Sequence, residues 1–126
     1  MRYREFLEFE TSAGTRPVAE WRDDLDEKQK AHIDAKIDLI ERSPILRKSV
    51  LKPIEGRKGI FELLFSFRRE EFRILICKDT SNTQNFVMLS GHKKKGRKLK
   101  KGCFDTADDR RKEVEKNAGM AKERDW

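Results

Sequence analysis

The sequence predicts an α+β domain: a mostly antiparallel sheet of four or five strands, with two helices before it and one after it. Two patterns carry this. Apolar residues alternate through Phe61, Leu63, Phe65 and Phe67, and again through Phe72, Ile74 and Ile76, the period of two strands joined as a hairpin. On either side of the hairpin the spacing becomes helical: Val18, Trp21 and Leu25, then Ile33, Ile37 and Ile40, and later Phe104, Ala107, Arg111, Val114 and Ala118. A chain of 126 residues suits one domain. That domain is expected over residues 1–118, with a polar tail at 119–126 that frays.

In chain order, the aromatic stretch Tyr3 to Phe9 reads as a first strand. Thr15 is placed to cap a helix whose first turn holds Pro17. Asp26 with Gln29 resembles a capping box for the second helix, and Ser43-Pro44 ends it, because a residue before proline is pushed out of the helical region. Residues 49–54 read as an edge strand and Gly56 to Gly59 as a turn. Glu70-Glu71 is expected at the hairpin tip, and Asp79 to Asn82 at the next turn. Phe86 to Leu89 is almost wholly apolar, as a strand covered on both faces would be. Asp105 or Thr106 is the expected cap of the last helix. The Phe61–Phe67 row and Trp21 are read as core, and His32, among charged residues, as surface.

Charged residues make up 42% of the chain and apolar ones 36%, which fits a modest core under a heavily charged surface. Apolar runs are only a few residues long, so no membrane-spanning helix is expected, and Met1 to Glu5 lacks the apolar stretch of a signal peptide. Cys77 and Cys103 make no disulfide framework, and with His32 and His92 they lack zinc-site spacing. A cytoplasmic protein with reduced thiols and no cofactor is the expectation.

The net charge of +7 is local. His92 to Lys101 carries seven cations (Lys93, Lys94, Lys95, Arg97, Lys98, Lys100 and Lys101) and no acid, and without it the remaining cations equal the 23 acids. A loop of this kind suits a polyanion, with Lys93, Arg97, Lys98, Lys100 and Lys101 as candidate RNA contacts. A solvated charge run or a localisation signal are the plainer readings.

Three segments carry a resemblance. They are Gly59 to Leu64 with the following Phe72-Arg73-Ile74-Leu75, then Met88 to Lys95, where a strand end and Gly91 precede basic residues, and Ala107-x-x-Arg110. Their order over residues 17–116 resembles the RelE/ParE superfamily of bacterial toxins, and within it the HigB-like, phage-derived branch. The resemblance implies a toxin of a type II toxin-antitoxin system: a ribosome-dependent mRNA endonuclease, held in check by an antitoxin that is usually a helix-turn-helix DNA-binding protein. It also implies cleavage without metal, in which the ribose 2′-hydroxyl attacks the adjacent phosphate. Such chemistry needs a base, an acid and cations. His92 is the candidate base or acid. Lys94 and Lys95, with Lys93, are candidates to stabilise the transition state, and Arg73 and Arg68 to hold phosphate. Arg68 is expected on β-strand structure opposite the Phe row; Arg73 can equally pair with Glu62 or Glu71. Phe104 is a candidate stacking residue. Two positions depart from the resembled pattern: Leu64 stands where an Arg is usual, and Phe104 where RelE-branch proteins have Tyr. A gyrase-directed ParE-like toxin and a degenerate binding domain are the competing readings; the basic loop and His92 favour the nuclease.

Overall fold

The chain enters through β1 (Phe6–Phe9), followed by α1 (Pro17–Asp23) and α2 (Glu27–Arg42). Then β2 (Leu51–Pro53), β3 (Phe61–Phe67), β4 (Glu70–Lys78) and β5 (Phe86–Lys93) run consecutively, and α3 (Lys101–Lys116), a short 3-10 turn and β6 (Ala121–Lys122) close it. The computed structural model describes residues 1–47, 50–93 and 99–126. Its strands make one sheet of six in the order β2-β3-β4-β5-β1-β6, antiparallel except where β1 lies parallel to β5. The predicted α+β class holds, with a sixth strand that the sequence did not signal. Among the described residues no helix is long and apolar enough to cross a membrane.

Local chemistry explains the elements and where expectations fail. Asp26 accepts from the Gln29 N–H at 2.8 Å and the Gln29 side chain accepts from the Asp26 N–H at 3.0 Å, so the capping box of α2 is formed. Thr15 does not cap α1: Arg16 holds that position, while Thr15 closes a loop with Thr11 through bonds of 2.8 and 3.1 Å. The hairpin tip is Arg68-Arg69, not Glu70-Glu71. Both arginines have positive φ (52° and 69°), as the tightest hairpin turn demands, and Phe67 stands opposite Glu70. The turn lacks the usual Asn-Gly, so it left no sequence signal. α3 begins at Lys101, not near Asp105 or Thr106. Buried Leu99 anchors its entry, and Asp105 instead accepts from Arg57 at 2.8 Å.

The sheet is packed on both faces. Phe6, Leu63, Phe65, Phe72, Ile74 and Met88 face α1 and α2 with Val18, Ile33 and Ile37; Ile60, Leu75, Cys77, Val87 and Leu89 face α3 with Leu99, Ala107 and Val114. Trp21 packs edge-on to Phe72 and lies directly over Gly91, where an added Cβ would fall 2.2 Å from its ring. Only glycine lets α1 sit this close to β5. His32 is half-buried rather than a surface residue, its ring stacked 4.6 Å from that of Phe67.

The expected frayed tail is folded. Lys122 and Ala121 pair with Glu8 and Phe9 of β1, Arg124 meets Glu41 at 2.7 Å, and Trp126 packs against the α1–α2 core under the guanidiniums of Arg22 and Arg124. The cause is two buried carboxylates. Glu8 and Glu41 are 0% and 1% exposed, and a buried charge is costly unless paired. Arg16 (3.3 Å) serves the first and Arg124 the second, and Glu41 also accepts from the Phe6 N–H at 2.8 Å. Within the polar tail, Arg124 supplies the countercharge of Glu41.

Candidate active site

α3 covers only part of its face of the sheet. Beyond it, toward the hairpin, Leu64, Arg73 and His92 stand in register across β3, β4 and β5 and are all partly exposed. The next register row, toward α3, holds Lys52, Glu62, Leu75 and Ser90. Two residues far apart in sequence, Arg73 and His92, are thus cross-strand neighbours, Arg73 lining one cavity beside α3 and His92 another.

β5 is shaped for this. The β4–β5 register shifts between Leu75 and Ile76, so that Leu89 has no partner in β4. Such a bulge bends a strand and frees a carbonyl. Here Arg110 of α3 donates to the Leu89 carbonyl at 2.7 Å, which ties the helix to the bulge one residue before Ser90. His92 then lies with its Nε2 2.9 Å from Ser90 Oγ. Burial, and secondarily the Arg110 guanidinium, hold its pKa below the usual histidine value, so the imidazole is neutral at pH 7. A neutral ring steadied at one nitrogen can take a proton at the other.

Arg73 is fixed differently. Its guanidinium meets Glu71 at 3.0 Å and Glu62 at 3.8 Å, the two acids anticipated for it. Burial pushes the Glu62 carboxyl above its ordinary pKa, although Arg73 and Lys52 pull it back. Glu62, Arg73, Lys52, Arg57 and Phe104 line a cavity of about 270 Å³ between β2 and α3. Phe104 is half-buried there, with the Arg57 guanidinium 5.9 Å from its ring.

The remaining candidates are dispersed. Arg68 is not on the strand face: it occupies the hairpin turn, its guanidinium 5.2 Å over the Phe67 ring. Lys93 is in register with Phe72, on the face opposite His92, and pairs with Glu70 at 2.8 Å. Lys100 caps α3, and Lys101 in its first turn lies 3.3 Å from Asp105. Lys94, Lys95, Arg97 and Lys98 lie outside the described residues. Sequence reasoning assigns no part in the chemistry to Glu62, Ser90 or Arg110. Ser90 had a signal in its spacing of two from His92 on one strand, and Arg110 in Ala-x-x-Arg; the bulge that joins them had none. Cys77 is buried and its thiol is pushed up to about 12 by desolvation, so it is chemically quiet.

The α+β architecture is consistent with a small RelE-like fold. Residues 20–112 match the family described as Phage derived protein Gp49-like (DUF891). The chain belongs to that family, one of RelE/HigB-like toxin-type proteins. No curated protein matches it.

Proposed function

We propose that this protein is the toxin of a type II toxin-antitoxin pair, of the HigB-like branch, and that it cuts mRNA on the ribosome. One observation carries the reading: Arg73 and His92 are direct cross-strand neighbours, both partly exposed. A guanidinium that can hold phosphate stands beside a neutral imidazole that can accept a proton. With Nε2–H donating to Ser90 Oγ, the bare Nδ1 takes the proton of the ribose 2′-hydroxyl. The 2′-oxygen then bonds to the adjacent phosphorus and the bond to the 5′-oxygen breaks, leaving a 2′,3′-cyclic phosphate. Glu62, with its raised pKa, is the described group suited to give the leaving 5′-oxygen its proton. Lys94 and Lys95 keep the charge-stabilising role the resemblance implies, and Phe104 can stack on a base. An antitoxin with an acidic segment would cover the basic run from His92 to Lys101.

Leu64 favours a second reading, a binding domain that occupies the ribosome without cutting. It fills the third place in the Arg73–His92 row with an apolar side chain where a further cation would hold phosphate. Cell-free translation decides between them. Primer extension should find new mRNA 5′ ends within A-site codons only when ribosomes are present. Blocked translation with intact mRNA would overturn the nuclease in favour of the binder.

A further inference from the structure

We propose that the segment Glu123–Trp126 is a clamp that seats α1 beside the end of β5, and that Trp126, acting through α1, is a positioning residue for His92. The role of His92 as proton acceptor rests on the nuclease reading; the clamp itself does not.

α1 depends on its neighbours. Seven residues are too few for a helix to stand alone, and Arg16 at its N-cap makes no side-chain capping bond. The helix sits where the sheet is incomplete. β1 pairs with β5 only from Phe86 to Met88, so from Ser90 onward β5 has β4 on one side and, among the described residues, no strand on the other. Trp21 of α1 covers that stretch. A Cβ added to Gly91 would lie 2.2, 2.3 and 2.8 Å from its Cε3, Cδ2 and Cζ3, distances that put Gly91 beneath the face of the ring. Pro17 and Trp21 also line, each with His92, cavities of about 430 and 360 Å³. α1 is thus a wall that shields His92 on this side.

The segment after β6 grips this wall at both ends. At the start of α1, Arg16 donates to the Glu123 carbonyl at 2.9 Å and lies 3.6 Å from the Asp125 carboxylate, while Glu8 and Glu10 hold the same guanidinium at 3.3 and 3.0 Å. In its last turn, the Arg22 guanidinium lies 4.8 Å from the centre of the Trp126 ring and donates to Asp34 of α2 at 2.8 and 2.6 Å. Trp126 packs on the core cluster that contains Val18, the one fully buried residue of α1. Arg124, 5.3 Å from the same ring, pairs with Glu41 and so anchors the segment to the end of α2. Trp21 follows Val18 by one helical turn and precedes Arg22. A movement of Trp126 therefore reaches Trp21, then Gly91, then the neighbouring His92.

Proton NMR of the full chain tests the clamp. In the parent, one Gly91 α-proton should be shifted upfield by the ring current of Trp21. In Trp126→Ala that shift should shrink, and the His92 imidazole should titrate at higher pH than in the parent because water reaches it. Trp126→Phe keeps an aromatic face for both guanidiniums and should restore both signals. The charged groups around His92 are Arg73 on β4 with its partner Glu62, Lys93 on β5, and Lys100 and Arg110 at α3. All are unchanged in these variants, so the titration reads burial. Ile37→Val, a core change in α2, should leave both signals at their parental values. Trp126→Leu keeps apolar bulk without an aromatic face and reads the same signals if Trp126→Ala does not fold. In cleavage, the Trp126 variants without an aromatic ring should lose about tenfold in kcat, with KM held within about twofold. Unmoved Gly91 and His92 signals in a folded variant, or equal movements in Ile37→Val, would overturn the clamp. Moved signals in a protein whose parent cuts no mRNA would retain the clamp and remove the nuclease.

Discussion

The two cavities on either side of the Arg73–His92 row differ in charge. On the β2–β4 side Arg73 lies between Glu62 and Glu71, Lys52 faces Glu62 across the strands, and Arg57 is held by Asp105 and Asp108 at 2.8 and 2.6 Å. On the β5–α3 side Arg110, Lys100 and His92 share a cavity whose described lining has no acid. The acids beside Arg73 and Arg57 hold these guanidiniums in place. On the β5–α3 side the His92 pKa is lowered, mainly by burial and secondarily by the Arg110 guanidinium. In the proposed mechanism Arg73, positioned by its acids, meets phosphate, and the β5–α3 side carries the proton acceptor.

The largest expected effect lies on the β5–α3 side. His92→Ala should reduce mRNA cleavage about a hundredfold or more, the usual contribution of a general base, while RNA affinity holds within about twofold. In the parent the rate should rise with pH as His92 becomes neutral, through a midpoint below the ordinary histidine value, and fall again as Glu62, the proposed acid, loses its proton. Because the His92 pKa is lowered on folding, the same group stabilises the fold above its unfolded value near 6.5, and the contribution is lost as pH falls through the folded value. Undiminished cleavage by His92→Ala would remove His92 from the chemistry.

A smaller effect, of a different kind, belongs to the β2–β4 side. Arg73→Gln leaves Glu62 and Glu71 facing each other in a site where the Arg73 and Glu62 side chains are only 12% and 11% exposed. Breaking such a pair should cost on the order of 2–3 kcal/mol of stability, read by urea unfolding. A variant as stable as the parent would show that Arg73 is not part of the framework.

The hairpin, the capped second helix and the apolar fifth strand were legible because local patterns dictate them. What was not legible depends on pairing between distant residues. Arg68-Arg69 turns the hairpin against local preference because the Phe67–Glu70 register leaves two residues for the turn. The polar tail folds because Arg124 meets buried Glu41 and residues 121–122 pair with β1, both far away in sequence. At the site, Arg73 and His92 were recognisable one by one, but their adjacency is a matter of register. The bulge at Leu89, which places Ser90 under His92 and Arg110 behind them, has no local sequence mark.

The charge difference between the two cavities is tested most directly by neutralising one lysine on each side and measuring oligoribonucleotide affinity across a salt series. Lys52→Gln and Lys100→Gln change the same charge at exposed positions, one beside Glu62 and the other beside the acid-free cavity. Lys100→Gln should weaken binding and reduce the salt slope by about one, the loss of one phosphate contact, while Lys52→Gln leaves both nearly unchanged. Equal losses in the two variants, or a larger loss in Lys52→Gln, would contradict that difference.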